Sequence, residues 1–162
     1  MQVINYKIDD PKNLTEAERK TFLALLIKQN KVRNPTIEKI NRCKLIGVCF
    51  VDGELISIGA IKPKTNSDFN SSKADVDKFR NIFSLELGYC YTLPEHTGNG
   101  YSSSIVKLLL DKFKNTNLMA STELRADNSM TRILEKNSFK QYGKAWKSSI
   151  HNGTLGLFLK FV

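Results

Sequence analysis

The stretch Glu86-Leu-Gly-Tyr-Cys-Tyr-Thr-Leu-Pro94-Glu-His-Thr-Gly98-Asn-Gly100-Tyr-Ser-Ser-Ser104 decides how the chain is read. An apolar, strand-like segment runs into a proline that stops it. Two glycines follow, and then a helical pattern begins. This layout aims the backbone N–H groups of residues 98–103 into one small concavity. The positive end of the helix dipole lies behind them. Such a turn binds phosphate or pyrophosphate without a basic side chain, and glycine allows the ligand to approach the backbone. The bland alternative is a tight turn with no ligand. Two other phosphate motifs are excluded. No G-x-x-x-x-G-K-[ST] occurs, and the dinucleotide fingerprint would need a third glycine where Ser103 stands.

Upstream of this stretch, residues 2–8 alternate apolar and polar, as a strand does. Thr15 and Glu18 have capping-box spacing. Phe22, Leu25 and Leu26 then mark the buried face of a helix reaching about residue 29. Asn34-Pro35 predicts a second helix start with proline in its first turn, buried through Ile37 and Ile40. Residues 44–51 and 54–61 predict a hairpin around Asp52-Gly53. Residues 62–80 are polar and predict a long loop with one helical turn near 74–79.

Downstream, the strand over 83–93 leads to a helix over 100–115 with the apolar stripe Ile105, Val106, Leu109 and Phe113. A strand over 118–125 and a short helix over 128–137 follow. The terminal hairpin spans 139–149 and 154–162 around a His-Asn-Gly turn at 151–153. The order is β-α-α-β-β-β-α-β-α-β-β. It predicts an α+β fold whose mixed, mostly antiparallel central sheet has one parallel crossover through the 100–115 helix.

With 162 residues the chain has the size of a single domain, taken as 1–162, able to bury roughly two-thirds of its unfolded surface. No apolar run has the ~20 residues of a membrane span, and the first residues lack the layout of a signal peptide. These features predict a cytoplasmic location. Cys43, Cys49 and Cys90 are odd in number and loosely spaced, and read as small buried hydrophobes. With only His96 and His151 besides, no metal site is expected. The net charge of +9 fits a solvated basic surface, an anionic small ligand or an acidic macromolecule. The basic residues are scattered, with no run of five, which argues against a nucleic-acid partner.

Residues 86–102 resemble the signature of the GNAT superfamily of N-acetyltransferases, E-h-x-x-h-x-V-x-P-E-x-R-G-x-G-x-G/A. Glu86, Leu87, Cys90, Thr92, Pro94, Glu95, Gly98 and Gly100 stand in register. Thr97 takes the place of the usual arginine or glutamine, and Ser102 that of the usual glycine or alanine. Residues 128–139, from Asn128 through Leu134-Glu-Lys to Phe139, resemble the family's N-x-x-S-x-x-h-Y/L-E-K-x-G-F helix, with Ser138 in place of glycine. The order of elements matches along nearly the whole chain.

The resemblance implies an acetyl-CoA-dependent N-acyltransferase in which a primary amine attacks the thioester directly. Glu86 would be the general base. The implied cofactor-binding residues are Tyr91, Thr92 and Leu93 on the strand, Thr97, Gly98, Asn99, Gly100, Tyr101 and Ser102 at the turn, and Asn128. A backbone N–H among Cys90, Tyr91 and Thr92 would receive the thioester oxygen. Side-chain alternation would put Glu86, Gly88, Cys90 and Thr92 on one face.

Each residue also has a plainer role open to it. Glu86 could form a salt bridge, Asn128 a helix N-cap and Cys90 a buried thiol; a nucleophilic Cys90 and a basic His96 are further readings. The tyrosine that often assists thiolate departure is replaced by Leu134, with Ser129 or Tyr142 as substitutes. Two alternatives stand beside the enzyme: a non-catalytic acyl-CoA-binding module, and an acyltransferase acting on a protein or RNA-associated amine. The acceptor, a small-molecule or peptide amine, would be chosen by residues 28–43, residues 62–82 and the terminal hairpin. An exposed sheet edge would allow a homodimer.

Overall fold

The computed structural model describes residues 1–162. Its elements are β1 (Ile4–Asp9), α1 (Glu16–Gln29), α2 (Ile37–Asn41), β2 (Leu45–Val51), β3 (Glu54–Pro63), β4 (Leu85–Thr92), α3 (Tyr101–Asp111), β5 (Leu118–Glu123), α4 (Ser129–Lys136), β6 (Lys140–Lys147) and β7 (Thr154–Lys160). This is the order expected from the sequence. The strands are hydrogen-bonded as β1-β2-β3-β4-β5-β7-β6, in a seven-stranded sheet. The β4–β5 pair is parallel, and β1–β2, β2–β3, β5–β7 and β6–β7 are antiparallel. The fold is therefore mixed α+β with a mostly antiparallel sheet. No helix is long and apolar enough to cross a membrane.

By compactness the chain divides into two units. One comprises residues 1–62 and 87–113, the other residues 63–86 and 114–162.

In the first unit, α1 starts at a complete capping box. The Thr15 hydroxyl accepts from the Glu18 N–H, and the Glu18 carboxylate accepts from the Thr15 N–H. The helix ends at Asn30 in the left-handed conformation, φ 57°. Phe22, Leu25 and Leu26 are buried, as their spacing requires. The start of α2 differs from expectation. Thr36 is the N-cap and its hydroxyl accepts from the Lys39 N–H at 3.2 Å, so Pro35 lies outside the helix. A hydroxyl able to take an orphan N–H outcompetes the proline signal.

Asp52 and Gly53 both have positive φ, 51° and 84°, as a tight hairpin turn demands. Gly47 and Gly59 are cross-strand partners on β2 and β3. A Cβ on either would stand 2.8 or 2.9 Å from Cγ2 of Ile105. The bare backbone at this pair lets α3 lie close against the two strands. Ile105, Val106 and Leu109 are buried there, whereas Phe113 lies beyond the helix end and is only half-buried.

The second unit is organised around Phe69, Ala74, Phe83, Met119, Trp146, Leu157 and Leu159. Three of these come from the region expected to be a polar loop or its edge. That region has 3₁₀ turns at Asn66–Phe69 and Asp77–Ile82, so the helical turn expected near 74–79 lies about three residues later and is of the tighter 3₁₀ kind. Phe69 and Ala74 are fully buried anchors. Lys73 pairs with Asp68 at 3.3 Å, and Arg80 ties together Asp77, Asn70 and the Asn66 carbonyl. The final hairpin closes through a wider loop than a three-residue turn. Ser148 N–H donates to the Gly153 carbonyl at 3.0 Å, and His151 Nδ1 accepts from the Gly153 N–H at 2.9 Å.

Candidate acyl-transfer site

In the first unit the N-terminal end of α3 has no side-chain cap. Its N-cap is Gly100 at φ 79°, two residues after Gly98 at φ 84°. Most residues would be strained in these conformations. A Cβ at either glycine would meet nothing within 4 Å, so the turn opens outward. The first hydrogen bond of the helix runs from the Ser104 N–H to the Gly100 carbonyl at 3.0 Å, and the N–H groups of residues 98–103 donate to no protein acceptor.

The frame of the turn is held from behind. Leu93 is buried, and its N–H donates to the Ile56 carbonyl at 2.9 Å. The Thr97 hydroxyl donates to the Pro94 carbonyl at 2.9 Å, and Asn99 Nδ2 donates to the His96 carbonyl at 3.0 Å. Tyr101 is buried, with the His96 ring 6.5 Å away. Thr97 and Asn99 thus brace the turn with their side chains, while their backbone follows its curve.

A chain of hydroxyls joins this turn to the strands. Ser57 Oγ donates to the Tyr91 carbonyl at 3.2 Å, Thr92 Oγ1 lies 2.6 Å from Ser57 Oγ, and Ser102 Oγ lies 2.7 Å from Thr92 Oγ1. A carbonyl only accepts, so the polarity is fixed: Ser102 donates to Thr92, Thr92 to Ser57, and Ser57 to Tyr91. Ser102 therefore contributes no hydroxyl donor to the turn, which presents backbone N–H groups alone. Ser57 is fully buried, and a lone serine inside Leu55-Ile56-Ser57-Ile58 was the sequence signal for it.

The middle of β4 departs from a regular strand. Tyr89 has φ 59°, a left-handed residue costing ~1–3 kcal/mol for a side chain of this size. The expected alternation that puts Glu86, Gly88, Cys90 and Thr92 on one face is broken at this point. Side chains hold the distortion in place. Lys62 Nζ lies 5.4 Å over the Tyr89 ring, Gln29 Nε2 donates to the Cys90 carbonyl at 3.0 Å, and the Cys90 thiol lies 3.6 Å from the Gly88 carbonyl. Burial pushes the Cys90 thiol up to about 12, and the Cys43 thiol likewise. Burial disfavours the thiolate form of both, which argues against the nucleophilic reading of Cys90.

In the second unit Glu86 is 7% exposed, and its carboxylate accepts the Thr65 N–H at 2.7 Å. Asn128 is the N-cap of α4. Its Oδ1 accepts from the Met130 N–H at 2.9 Å, and its Nδ2 donates to Thr122 Oγ1 at 3.1 Å and to the Glu123 carbonyl. Leu134 is fully buried in the core. Tyr142 packs edge-on against Phe79 and Phe161, at 5.7 and 5.6 Å between ring centroids.

No protein-family model matches the chain, and no curated protein sequence matches it. Solved structures do. FeeM, an N-acyl amino acid synthase from uncultured soil microbes, superposes with a TM-score of 0.74 at 11% identity, covering 100% of this chain and 92% of that one. ElaA of Escherichia coli gives 0.72 at 8% identity over 98% and 99% of the two chains. An acetyltransferase of the GNAT family from Streptococcus pneumoniae gives 0.67 at 13% identity over 99% of each. At these identities the likeness speaks to architecture, and it extends over the full length of the chain. The protein has the fold of the GNAT acyltransferases.

Proposed function

We propose that the protein is an acetyl-CoA-dependent N-acyltransferase that moves an acetyl group to a primary amine. The observation that carries this reading is the unpaired row of N–H groups at residues 98–103, ahead of a helix whose N-cap is a glycine. Coenzyme A fits this cradle chemically. Its pyrophosphate is an anion that needs several convergent donors, and the turn supplies them with no side chain in the way. Gly98, Asn99, Gly100, Tyr101 and Ser102 would hold the pyrophosphate by backbone. Thr97 keeps the turn in shape, Tyr91, Thr92 and Leu93 would line the path of the pantetheine arm, and Asn128 would meet it beyond its capping role. When bound, acetyl-CoA supplies the thioester carbonyl that the amine attacks.

The chain's own residues then have two tasks. An amine with a pKa near ~10 is almost wholly protonated at neutral pH, so it must lose a proton before it attacks. Glu86 takes that proton, directly or through water, and the Thr65 N–H keeps its carboxylate oriented. A backbone N–H among Cys90, Tyr91 and Thr92, next to the left-handed Tyr89, donates to the oxygen that gains charge. Leu134 offers no proton to the departing thiolate.

Calorimetry with acetyl-CoA and with CoA, followed by an amine screen with thiol detection, tests the reading. Micromolar binding and thiol release are expected, with kcat/KM falling ~10²–10⁴-fold in Glu86→Gln. Binding without transfer to any amine would make the protein an acyl-CoA-binding module, a reading favoured by the core position of Leu134. A loss below ~5-fold in Glu86→Gln at every pH would remove Glu86 as the base.

A further inference from the structure

Gln29, the last residue of α1, donates through Nε2 to the Cys90 carbonyl at 3.0 Å. That bond fixes the orientation of the amide, because a carbonyl can only accept. The other end of the amide is then Oε1, which has no solvent exposure and no hydrogen-bond partner. An acceptor buried in this way is costly, and native structures rarely carry one without a reason. Its position supplies the reason. The amide lies against the Cys90–Tyr91 peptide, one residue beyond the left-handed Tyr89 and within the short stretch of β4 that the proposed reaction uses to hold the thioester oxygen. A donor arriving with a ligand would satisfy Oε1, and an amine brings N–H groups.

The chain that continues from Gln29 indicates what kind of amine. Residues 28–44 hold Lys28, Lys31, Arg33, Lys39, Arg42 and Lys44 against the single acid Glu38, which is more than half of the protein's net charge of +9. All of these basic residues except Lys39 are exposed. The Lys39 ammonium is committed to the Arg33 carbonyl. A polycationic acceptor would be repelled from such a segment, and an acceptor with its own carboxylate would be drawn to it. We propose that Gln29 positions the acceptor amine through Oε1, and that the acceptor is an amino acid whose free carboxylate is recognised by the basic 28–44 segment. This inference rests on the transferase reading above.

The test uses the full-length protein and acetyl-CoA, with the twenty L-amino acids, their α-amides and spermidine as acceptors. At least one acid is expected to exceed its own amide by tenfold or more in kcat/KM, with the gap narrowing as salt rises. For that acid, Gln29→Met should raise KM about tenfold while the Kd for acetyl-CoA, measured by calorimetry, stays within about twofold. Calorimetric titration of the acid into the CoA-loaded protein should show the same weakening without turnover. Arg42→Gln with Lys44→Gln should lower the preference for acid over amide and leave cofactor binding intact, which keeps the charge argument testable if Gln29→Met fails to fold. Equal or better use of the amides or of spermidine would overturn the substrate class. An unchanged KM in Gln29→Met would overturn the role of Oε1 and assign it a bound water. Turnover of none of the amines beside tight acetyl-CoA binding would instead overturn the transferase reading itself, and this inference with it.

Discussion

The N-terminal ends of α1 and α3, both in the first unit, meet the same physical demand in opposite ways. Every helix begins with backbone N–H groups that have no partner within the helix. At α1 the Thr15 hydroxyl and the Glu18 carboxylate close the end reciprocally, and Lys7 adds an ion pair to Glu18 at 2.9 Å. At α3 the cap is a glycine with a positive φ, no side chain reaches back, and the donors of residues 98–103 stay unpaired. The first arrangement satisfies the orphan donors within the chain and stabilises the helix. The second lacks a side-chain cap and leaves the donors unpaired, which is what the proposed cofactor site needs. The difference is written in single residues: threonine and glutamate at one end, two glycines at the other.

The comparison breaks most visibly at α3. Gly100→Trp should weaken CoA binding about 100-fold, or about 2.8 kcal/mol, in a calorimetric titration. The thermal midpoint should move by only a few degrees, because an added side chain meets open space there and the cost is backbone strain. At α1 the pattern should invert. Thr15→Ala is expected to cost about 1 kcal/mol in denaturant unfolding and to leave the Kd for CoA within about twofold. Equal effects of the two substitutions on binding would erase the distinction between a closed and an open helix end.

A smaller effect sharpens the contrast. Burial pushes the Glu18 carboxyl up, but the Thr15 N–H and the Lys7 ammonium outweigh this and hold it below the usual glutamate range. A group depressed in the folded state stabilises fully above its unfolded pKa, and that contribution fades as pH falls through the folded value. Unfolding midpoints should therefore drop at acid pH, and Glu18→Gln should flatten that part of the curve. The bare α3 end has no counterpart to remove.

The two helix ends were also the most legible parts of the chain. Thr15 with Glu18, Asp52-Gly53 and Gly98-x-Gly100 are local signals, each set by conformations that few residues adopt, and each forms where the sequence puts it. Position-specific features imposed by distant contacts were not readable. Nothing about a tyrosine announces a left-handed residue within a strand, and Tyr89 is held there by Lys62 and by the bonds around it. Residues 62–80 form the long connection their polar composition predicts, but the full burial of Phe69 and Ala74 within it was not readable from that composition. Gln29 sits at the end of α1 like any exposed glutamine in a sequence, and only the orientation of its amide distinguishes it.

Gly47 and Gly59 have a consequence beyond packing. Two residues without side chains, paired across β2 and β3, act as a spacer of minimum thickness beneath Ile105. The height of α3 above the strands is set there, in the interior, and the glycine turn rides on the end of that same helix. A single methyl group added at either position would lift the helix like a shim under a beam. It would shift the glycine turn at residues 98–100 without touching any residue of that turn.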